Sequence, residues 1–226
     1  MTLTADGWFT WAERDPGPLD KTNGGTNTIA GVVPHSAEGY APLLMQLVHD
    51  EARRASWMAS NLKNGRFIQH YSVYAQTWTS GAGYPNNNFV AWENEGVEGE
   101  PLTPQQTTNI VRVIRELSAL GRWKPRRPAD GKDKTATLYE HRECVRWGAE
   151  ATACPSGRIP WDEIMRQLGE EDDMTERVWD GARTWIVGKG GSSLITYPDM
   201  DKPLEAIYGP HTRVVTPAEM EAIRVK

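Results

Sequence analysis

Residues 137–161, TLYEHRECVRWGAEATACPSGRIPW, contain the pattern around which this chain is organised. His141 ends a short apolar run, and Cys154 follows thirteen residues later with a proline directly after it. Imidazole and thiolate are both good zinc ligands, but this pair alone is a weak signal, because a fold can bring almost any spacing together. The segment therefore predicts part of a metal site that needs a third ligand from elsewhere.

A candidate third ligand lies far upstream, in IAGVVPHS at residues 29–36. His35 comes just after a β-branched run, where a buried strand would end at the edge of a sheet. Three ligands, His35, His141 and Cys154, leave one position of a tetrahedral zinc ion open, as in catalytic zinc sites. A closed structural zinc site that uses Cys144, Cys154 and a histidine is the alternative.

The composition is that of a mildly acidic globular protein. A chain of 226 residues can bury a sizeable core without disulfides. The net charge of −5 argues against nucleic acid or an anionic membrane as partner, since both call for basic patches. Two cysteines are too few for a disulfide framework, and one bridge closing a small loop is the less favoured alternative. We expect a monomer without a disulfide.

The N-terminal sequence MTLTADGWFTW lacks the basic start and apolar core of a secretory signal. No apolar run approaches the ~20 residues that are needed to cross a bilayer. We therefore expect synthesis in the cytoplasm, so that any action outside that compartment requires a separate route of release.

The first half of the chain alternates between strand and helix signals. TIAGVV favours a central strand that ends at Pro34, and residues 40–54 have the apolar spacing of a helix with Arg53 and Arg54 at its C-terminal end. His49 lies on this helix and is predicted to be at or near the surface. Residues 1–28 are rich in proline and glycine and are predicted to be a loop-rich leader that packs on the domain.

A β-hairpin and one further strand are predicted downstream. Asn64-Gly65 lies between two alternating stretches and indicates a β-hairpin at about residues 56–73. After the loop SGAGYPNNN, the stretch FVAWENEG indicates a strand whose alternation places Glu93 and Glu95 on one face. Two histidines outside the candidate site, His70 and His211, are predicted to be hydrogen-bonded surface residues.

The best-defined helix is predicted within residues 102–121, LTPQQTTNIVRVIRELSALG. Thr103 is the predicted N-cap, Gln106 completes a capping box, and Gly121 ends the helix. The basic loop WKPRRPADGKDK is predicted to be a solvated connection, and PWDEIMRQLGEE to be a short helix. From about residue 172 the character changes, and we predict an extension over residues 172–226 with one or two short strands and a terminal helix.

With these pieces in place, the chain resembles the zinc-dependent N-acetylmuramoyl-L-alanine amidases of the type 2 family, which includes phage lysins and peptidoglycan recognition proteins. The matching motifs are GVVPHS, NGRFIQHY, TW, NNNFVAWENEG, EHRE and TACPSGRIPW. They cover about residues 29–168, and the combination is most similar to lysin domains from phages of actinobacteria. The resemblance implies an α/β fold with a mixed central β-sheet flanked by helices, with the catalytic domain at residues 29–171.

Carried over position by position, the resemblance implies that His35, His141 and Cys154 bind Zn²⁺. It implies that Glu93 is the catalytic carboxylate, whereas Glu95 is less directly involved.

Other positions of the motif are more variable. Thr152 matches a site where the side chain faces the reacting carbonyl. Trp57 replaces an active-site tyrosine of several members, and Thr79 replaces a histidine of some; we expect Trp57 to pack in the core or the cleft wall. Cys144 does not match a ligand position and is expected to be a packed thiol. Sugar rings could stack on four aromatic residues, Trp78, Tyr84, Trp92 and Trp147.

The implied activity is hydrolysis of the amide between N-acetylmuramic acid and L-alanine in bacterial peptidoglycan, by a phage lysin that lyses its host. The alternative from another class is a non-catalytic peptidoglycan receptor on the same fold, although such receptors typically lack the cysteine ligand. Residues 172–226 are then either a packed extension or a small module that targets the cell wall.

Overall fold

The computed structural model describes residues 3–172, 174–179, 184–188, 191–196 and 213–214. Two compact units divide the chain, Met1–Ile164 and Met165–Lys226. No helix in the described ranges is both long enough and apolar enough to span a membrane.

A five-stranded mixed sheet forms the centre of the first unit. Its strands are β1 (Glu13–Arg14), β3 (Gly31–Ser36), β4 (Ala59–Asn61), β5 (Phe67–Gln69) and β7 (Phe89–Asn94), in the spatial order β1-β5-β4-β7-β3. Both β3 and β4 run parallel to β7, whereas β4 and β5 are antiparallel. A separate antiparallel pair consists of β2 (Thr22–Thr26) and β6 (Ala75–Thr77). The predicted α/β class with a mixed central sheet is confirmed.

The helices are α1 (Ala41–His49), α2 (Gly83–Asn88), α3 (Pro104–Gly121) and α4 (Trp161–Asp172), with 3-10 helices at Leu19–Lys21 and His141–Trp147. The predicted short helix near residue 160 is confirmed as α4. α2 was predicted to be a loop because its sequence, GYPNNN, is rich in turn residues. Its six residues form a short helix that leads directly into β7.

β3 was predicted to be a central strand that ends at Pro34, but it lies at one edge of the sheet and continues to Ser36, so that His35 belongs to the strand. All six residues of β3 are buried, as the continuous apolar run predicted. Pro34 lacks a backbone N–H, and it is tolerated because β3 has only β7 as a neighbouring strand. The register of the pair places His35 directly opposite Glu93. His35 and Glu93 are 58 positions apart in the sequence, and the pairing of β3 with β7 makes them neighbours.

The hairpin predicted at residues 56–73 is formed by β4 and β5, with the turn at Asn64-Gly65. Gly65 has a φ of +89°, which other residues rarely adopt, and this explains the glycine at this position. The same strand β4 also pairs with β7, so that Ser60 lies opposite Glu93. The hairpin therefore forms the second flank of the strand that carries Glu93.

The C-terminal end of α1 differs from the prediction. The helix ends at His49, so Arg53 and Arg54 lie beyond its last turn. The cation at that end is Lys21, whose Nζ donates to the carbonyl oxygens of Leu47, Val48 and Asp50 at 2.8–2.9 Å. Because Lys21 is only 2% exposed, all three of its donors are satisfied within the protein. The leader thus holds the end of α1 in place.

Helix α3 begins as predicted. The Thr103 hydroxyl accepts from the Gln106 backbone N–H at 3.2 Å, and the Gln106 side chain accepts from the Thr103 N–H at 3.0 Å. Its apolar stripe is fully buried and consists of Ile110, Val113, Ile114 and Leu117. The helix ends at Gly121, as predicted, and the next residue, Arg122, takes the left-handed conformation, with φ +55°. Gly121 also allows close approach, since a Cβ there would meet the Ile29 carbonyl oxygen at 2.4 Å.

The leader packs on the first unit and contributes a strand to the sheet. β1 pairs with β5, and Phe9 is fully buried. The Trp11 indole stacks on Phe9 and donates to Glu116 of α3 at 2.8 Å. The aromatic residues of the leader thus cover one edge of the core.

The second unit contains a four-stranded sheet with the order β10-β9-β8-β11. Its strands are β8 (Met174–Trp179), β9 (Thr184–Gly188), β10 (Gly191–Thr196) and β11 (Arg213–Val214). The sequence predicted one or two short strands here, and it underestimated β-branched stretches such as TWIVG. The predicted terminal helix and His211 lie outside the described residues.

Candidate metal centre

Three elements bring the predicted ligands together. His35 lies at the end of β3, His141 begins the 3-10 helix at His141–Trp147, and Cys154 follows in the next turn. One ligand atom from each of the three lies within 4.8 Å of the others. In the part of the chain that the structure describes, this is the only such group of histidine, cysteine and carboxylate side chains.

The spacing of these atoms fits a zinc ion. The His35 Nδ1 lies 3.7 Å from the Cys154 Sγ, and the two histidine rings are 4.4 Å apart, centre to centre. A tetrahedral zinc with ordinary Zn–N and Zn–S bond lengths separates such a nitrogen and sulfur by about 3.6 Å. The donor set therefore has the chemistry and the span that zinc requires.

Both imidazoles are held in the neutral form that binds metal. Burial, together with the charge of His141, holds the pKa of His35 well below its usual value. Burial also lowers the pKa of His141. The His35 Nε2 lies 3.5 Å from the Ser80 hydroxyl, which leaves Nδ1 directed to the centre. An outer partner of this kind fixes the ring orientation of a ligating histidine.

Some of the surroundings of Cys154 oppose ionisation of its thiol, and one contact favours it. Burial, followed by the nearby charge of Glu93, raises the pKa of the Cys154 thiol to about 12. The backbone N–H of Ser36 donates to the Cys154 Sγ at 3.2 Å, which favours the negative sulfur. A divalent cation deprotonates a coordinating thiol outright. The Ser36 N–H therefore stabilises a thiolate at Cys154, but the buried thiol loses its proton only when a cation binds beside it.

Glu93 lies beside this cluster with its side chain 16% exposed, and one of its oxygens is buried with no hydrogen-bond partner among the described residues. Its Oε1 lies 3.8 Å from the His35 Nδ1. Its Oε2 accepts no hydrogen bond from any described residue. Burial, followed by the charge of Glu38, raises the pKa of Glu93 to about 8, while Arg158 opposes this shift. A buried carboxylate with a raised pKa and a vacant lone pair can exchange protons with a substrate or with water.

Glu95 lies just beyond the end of the strand that carries Glu93, and its carboxylate binds backbone N–H groups. β7 ends at Asn94, and the Glu95 carboxylate accepts from the backbone N–H groups of Ala41 and Lys63, at 2.9 and 2.7 Å. Both of its oxygens therefore hold local structure, one of them at the N-terminus of α1, where a negative charge is favourable.

Thr152 lies close to the cluster in sequence, and its hydroxyl accepts from the Cys154 backbone N–H at 3.1 Å. This contact fixes the turn that carries the cysteine. It also leaves the hydroxyl hydrogen of Thr152 available for a further acceptor.

A cavity of about 110 Å³ opens beside Glu93, and Trp57 and Thr79 line it. Trp57 is 5% exposed, and its indole N–H donates to the Ser60 hydroxyl at 2.9 Å. Thr79 donates to the Ser56 carbonyl at 2.6 Å. Trp57 thus forms part of the cleft wall, as predicted, and its single donor is already used.

Several predictions about side chains outside the cluster can be compared with the structure. Cys144 is fully buried in the core, where burial raises its pKa to about 12, and it is a packed free thiol. His70 was predicted to be at the surface and is instead 1% exposed, because the leader covers it. His49 lies at the surface and contacts the Asp15 carboxylate at 3.0 Å.

The predicted sugar-stacking aromatics do not form one group. Trp92 is fully buried and cannot contact a sugar. Tyr84 and Trp147 stack on each other with ring centres 5.3 Å apart, and Trp78 lines the cavity beside Glu93.

Sequence reasoning missed Arg158, which is 6% exposed. Its guanidinium donates to the Ser36 hydroxyl at 2.7 Å and to the carbonyl oxygens of Glu95 and Glu100 at 2.8 Å. It therefore ties the end of β3 to the loop after β7. The only signal in the sequence is a charged residue between Cys154 and the apolar IPW, which alone does not indicate burial.

Several solved structures are similar to this chain. A selenomethionine derivative of AmpD is 20% identical, with a TM-score of 0.53 over 74% of this chain and 99% of that chain. The catalytic domain of XlyA is 18% identical, with a TM-score of 0.52 over 70% of this chain and 99% of that chain. A mutant endolysin from Bacillus subtilis is 16% identical, with a TM-score of 0.53 over 70% and 98%.

This chain has the type 2 amidase fold. The sequence matches no family model and no curated protein. At identities of 16–20% the comparison establishes the fold, so the activity rests on the residues of the site.

Proposed function

We propose that this protein is a zinc-dependent N-acetylmuramoyl-L-alanine amidase that cleaves the amide between N-acetylmuramic acid and L-alanine in peptidoglycan. The observation that carries the proposal is the grouping of His35, His141 and Cys154 within 4.8 Å, with the Glu93 carboxylate 3.8 Å from His35. Three protein ligands with an acid beside them are the arrangement of a catalytic site. The shared fold with AmpD and with an endolysin supports the same reaction.

The reaction needs a nucleophile, a polarised carbonyl and a proton for the departing nitrogen. A zinc ion held by His35, His141 and Cys154 would polarise the carbonyl and lower the pKa of a water towards ~7.

Glu93 takes a proton from the attacking water through the oxygen that no described residue occupies. The water oxygen forms the new bond to the carbonyl carbon, and the C–N bond breaks. Glu93 then gives the proton to the departing amine of L-alanine, which regenerates the Glu93 carboxylate. Burial keeps the carboxyl able to hold this proton near neutral pH, because it raises the pKa of Glu93 to about 8.

Thr152 donates its hydroxyl hydrogen to the carbonyl oxygen as that oxygen gains charge. Its position is fixed, since the hydroxyl accepts from the Cys154 backbone N–H. A neutral hydroxyl stabilises an oxyanion less than a lysine would, so Thr152 assists and does not replace the metal.

The biological setting that fits this activity is a phage lysin that acts as a monomer on the host cell wall after release from the cytoplasm. Peptidoglycan is then the partner, with no role for nucleic acid or membrane. The catalytic domain corresponds to residues 29–171, and residues 172–226 are a packed extension or a wall-targeting module. Deletion of residues 172–226 separates these, because loss of wall binding by a soluble, folded core favours targeting.

Mass spectrometry of digested peptidoglycan tests the activity directly. Purified sacculi are incubated with the zinc-loaded protein, and the products are sequenced. The proposal predicts free stem peptides that begin with an L-alanine amine, and glycan strands with free lactyl carboxylates. Binding of sacculi and of stoichiometric zinc without release of any peptide would support the receptor alternative and overturn the enzyme.

A further inference from the structure

The edge strand β3 has an outer side that faces away from β7, and one backbone donor on that side binds a side chain of the candidate metal centre. The Val32 N–H donates to the Thr137 carbonyl at 2.8 Å, and Pro34 has no N–H to donate. The Ser36 N–H donates to the Cys154 Sγ at 3.2 Å. Donors at the edge of a sheet must be satisfied by backbone, side chains or water. At Ser36 the acceptor is the sulfur that would bind zinc.

The sulfur of Cys154 has two contacts with Ser36, and they favour different protonation states. The Sγ lies 3.8 Å from the Ser36 carbonyl oxygen, to which a thiol could donate. A metal ion takes the thiol proton, and a metal-bound sulfur can then accept a hydrogen bond but not donate one. The contact that remains in the metal-bound state is therefore the one from the Ser36 N–H.

Ser36 is held in place by side chains as well as by the sheet. The Arg158 Nη1 donates to the Ser36 hydroxyl at 2.7 Å, and this hydroxyl donates to the Glu38 Oε1 at 2.7 Å. The backbone of Ser36 pairs with Asn94 of β7, and the same Arg158 nitrogen reaches the Asn94 carbonyl at 3.3 Å. Ser36 and Arg158 are each 6% exposed, so water has little access to these contacts. The N–H is thus directed at the sulfur before a metal binds.

A hydrogen bond to a metal-bound sulfur has two effects on the metal. It stabilises the negative sulfur, so that protons compete less well with the metal for the cysteine. It also withdraws electron density from the sulfur, which leaves more positive charge on the metal. Loss of such a supporting contact typically weakens metal binding by about 10–100-fold.

We propose that Ser36 is a positioning residue for Cys154, and that its backbone N–H, held by Arg158, sets the affinity of the site for zinc. This role rests on the zinc site of the proposed function and adds to it a donor that lies outside the three ligands. Because the donor belongs to the backbone, Ser36→Ala keeps it, and the contact is lost when the N–H itself is removed.

NMR spectroscopy of the full-length wild type, loaded with an NMR-active isotope of Cd²⁺, tests for this contact. Cd²⁺ is a soft ion that replaces zinc at thiolate sites. A hydrogen bond to a metal-bound sulfur carries scalar coupling between the amide proton and the metal. We expect this coupling at the Ser36 amide and none at the Val32 amide, whose acceptor is a carbonyl. No coupling at Ser36 in the loaded protein overturns the proposal and leaves the zinc site intact.

A second test removes the donor from the chain. An α-hydroxy acid in place of Ser36 converts its amide to an ester, which lacks the N–H and keeps the shape of the backbone. The matched control is the same exchange at Val32, which removes a donor from the same edge of β3 without a contact to the sulfur. In competition with a chelator, we expect the Ser36 ester to bind zinc about 10–100-fold more weakly and the Val32 ester to stay within about threefold of the wild type.

Substitution with Co²⁺ gives a readout that a purely structural role would not change. The sulfur-to-metal charge-transfer band should move to longer wavelength in the Ser36 ester alone, because the sulfur then holds its electrons less tightly. Equal losses of affinity in both esters, or an unshifted band, contradict the proposal. A wild type that binds no metal refutes the zinc site and the role of Ser36 together, whereas tight metal binding without cleavage of peptidoglycan refutes the amidase alone.

Discussion

Acidification should destabilise this protein through His70, which lies at the centre of a buried hydrogen-bonded chain. The His70 Nδ1–H donates to the Asp15 carbonyl oxygen at 2.9 Å, and Nε2 lies 2.9 Å from the Ser60 hydroxyl. A carbonyl only accepts, so Nδ1 carries the hydrogen and Nε2 accepts from Ser60. Ser60 in turn accepts from the Trp57 indole. Protonation of Nε2 would replace an accepting nitrogen with a donor and break the chain.

The pKa shift gives the size and the sign of this effect. Burial lowers the pKa of His70 from 6.5 to about 4, against a smaller raising effect from Asp15 and with a further lowering by His49. Above pH 6.5 His70 is neutral in both the folded and the unfolded chain, so the stability is fully present. Between pH 6.5 and 4 only the unfolded chain takes up the proton, and stability falls by about 1.4 kcal/mol per pH unit, or about 3 kcal/mol in all.

Urea unfolding of the wild type and of His70→Gln at half-unit steps from pH 8 to 4 measures this contribution. Glutamine does not titrate, whereas protonation of the metal ligands and carboxylates enters both proteins equally. The difference in free energy of unfolding should therefore favour the wild type most at high pH and shift by about 3 kcal/mol towards His70→Gln at pH 4. A difference that stays constant over this range would refute the buried, neutral state of His70.

Three further predictions concern single side chains. Lys21→Met should destabilise the protein by about 3 kcal/mol in urea unfolding, because three carbonyl oxygens at the end of α1 lose their donor; a loss below about 0.5 kcal/mol contradicts this. Cys154→Ser should lower bound zinc, measured by elemental analysis, well below one per chain, whereas Cys144→Ser should leave it unchanged. Glu93→Gln should retain zinc and lose activity by roughly 10²–10⁴-fold, measured by release of stem peptide; retained activity would exclude its role in proton transfer.

The sequence predicted the elements of the site better than their contacts. Local patterns of apolar and β-branched residues placed Glu93 on a strand and His35 just after one. Their direct opposition depends on the parallel register of β3 and β7, which distant segments set and no local pattern encodes.

The contributions of the leader were the least predictable. Lys21 has the local sequence of a solvent-exposed lysine, yet its ammonium is buried against the end of α1. His70 likewise has the local sequence of a surface histidine, and the Asp15 carbonyl that binds it comes from a segment 55 residues away. Burial of such polar groups follows from the packing of distant segments, and their composition gives no sign of it.

X-ray absorption spectroscopy of the zinc-loaded protein tests the central claim most directly, because it counts the atoms around the metal. The account predicts one sulfur and two imidazole nitrogens, with a fourth light ligand from solvent, and the loss of the sulfur alone in Cys154→Ser. Two sulfurs would indicate a closed site that includes Cys144. A shell without sulfur would show that His35, His141 and Cys154 do not hold the metal.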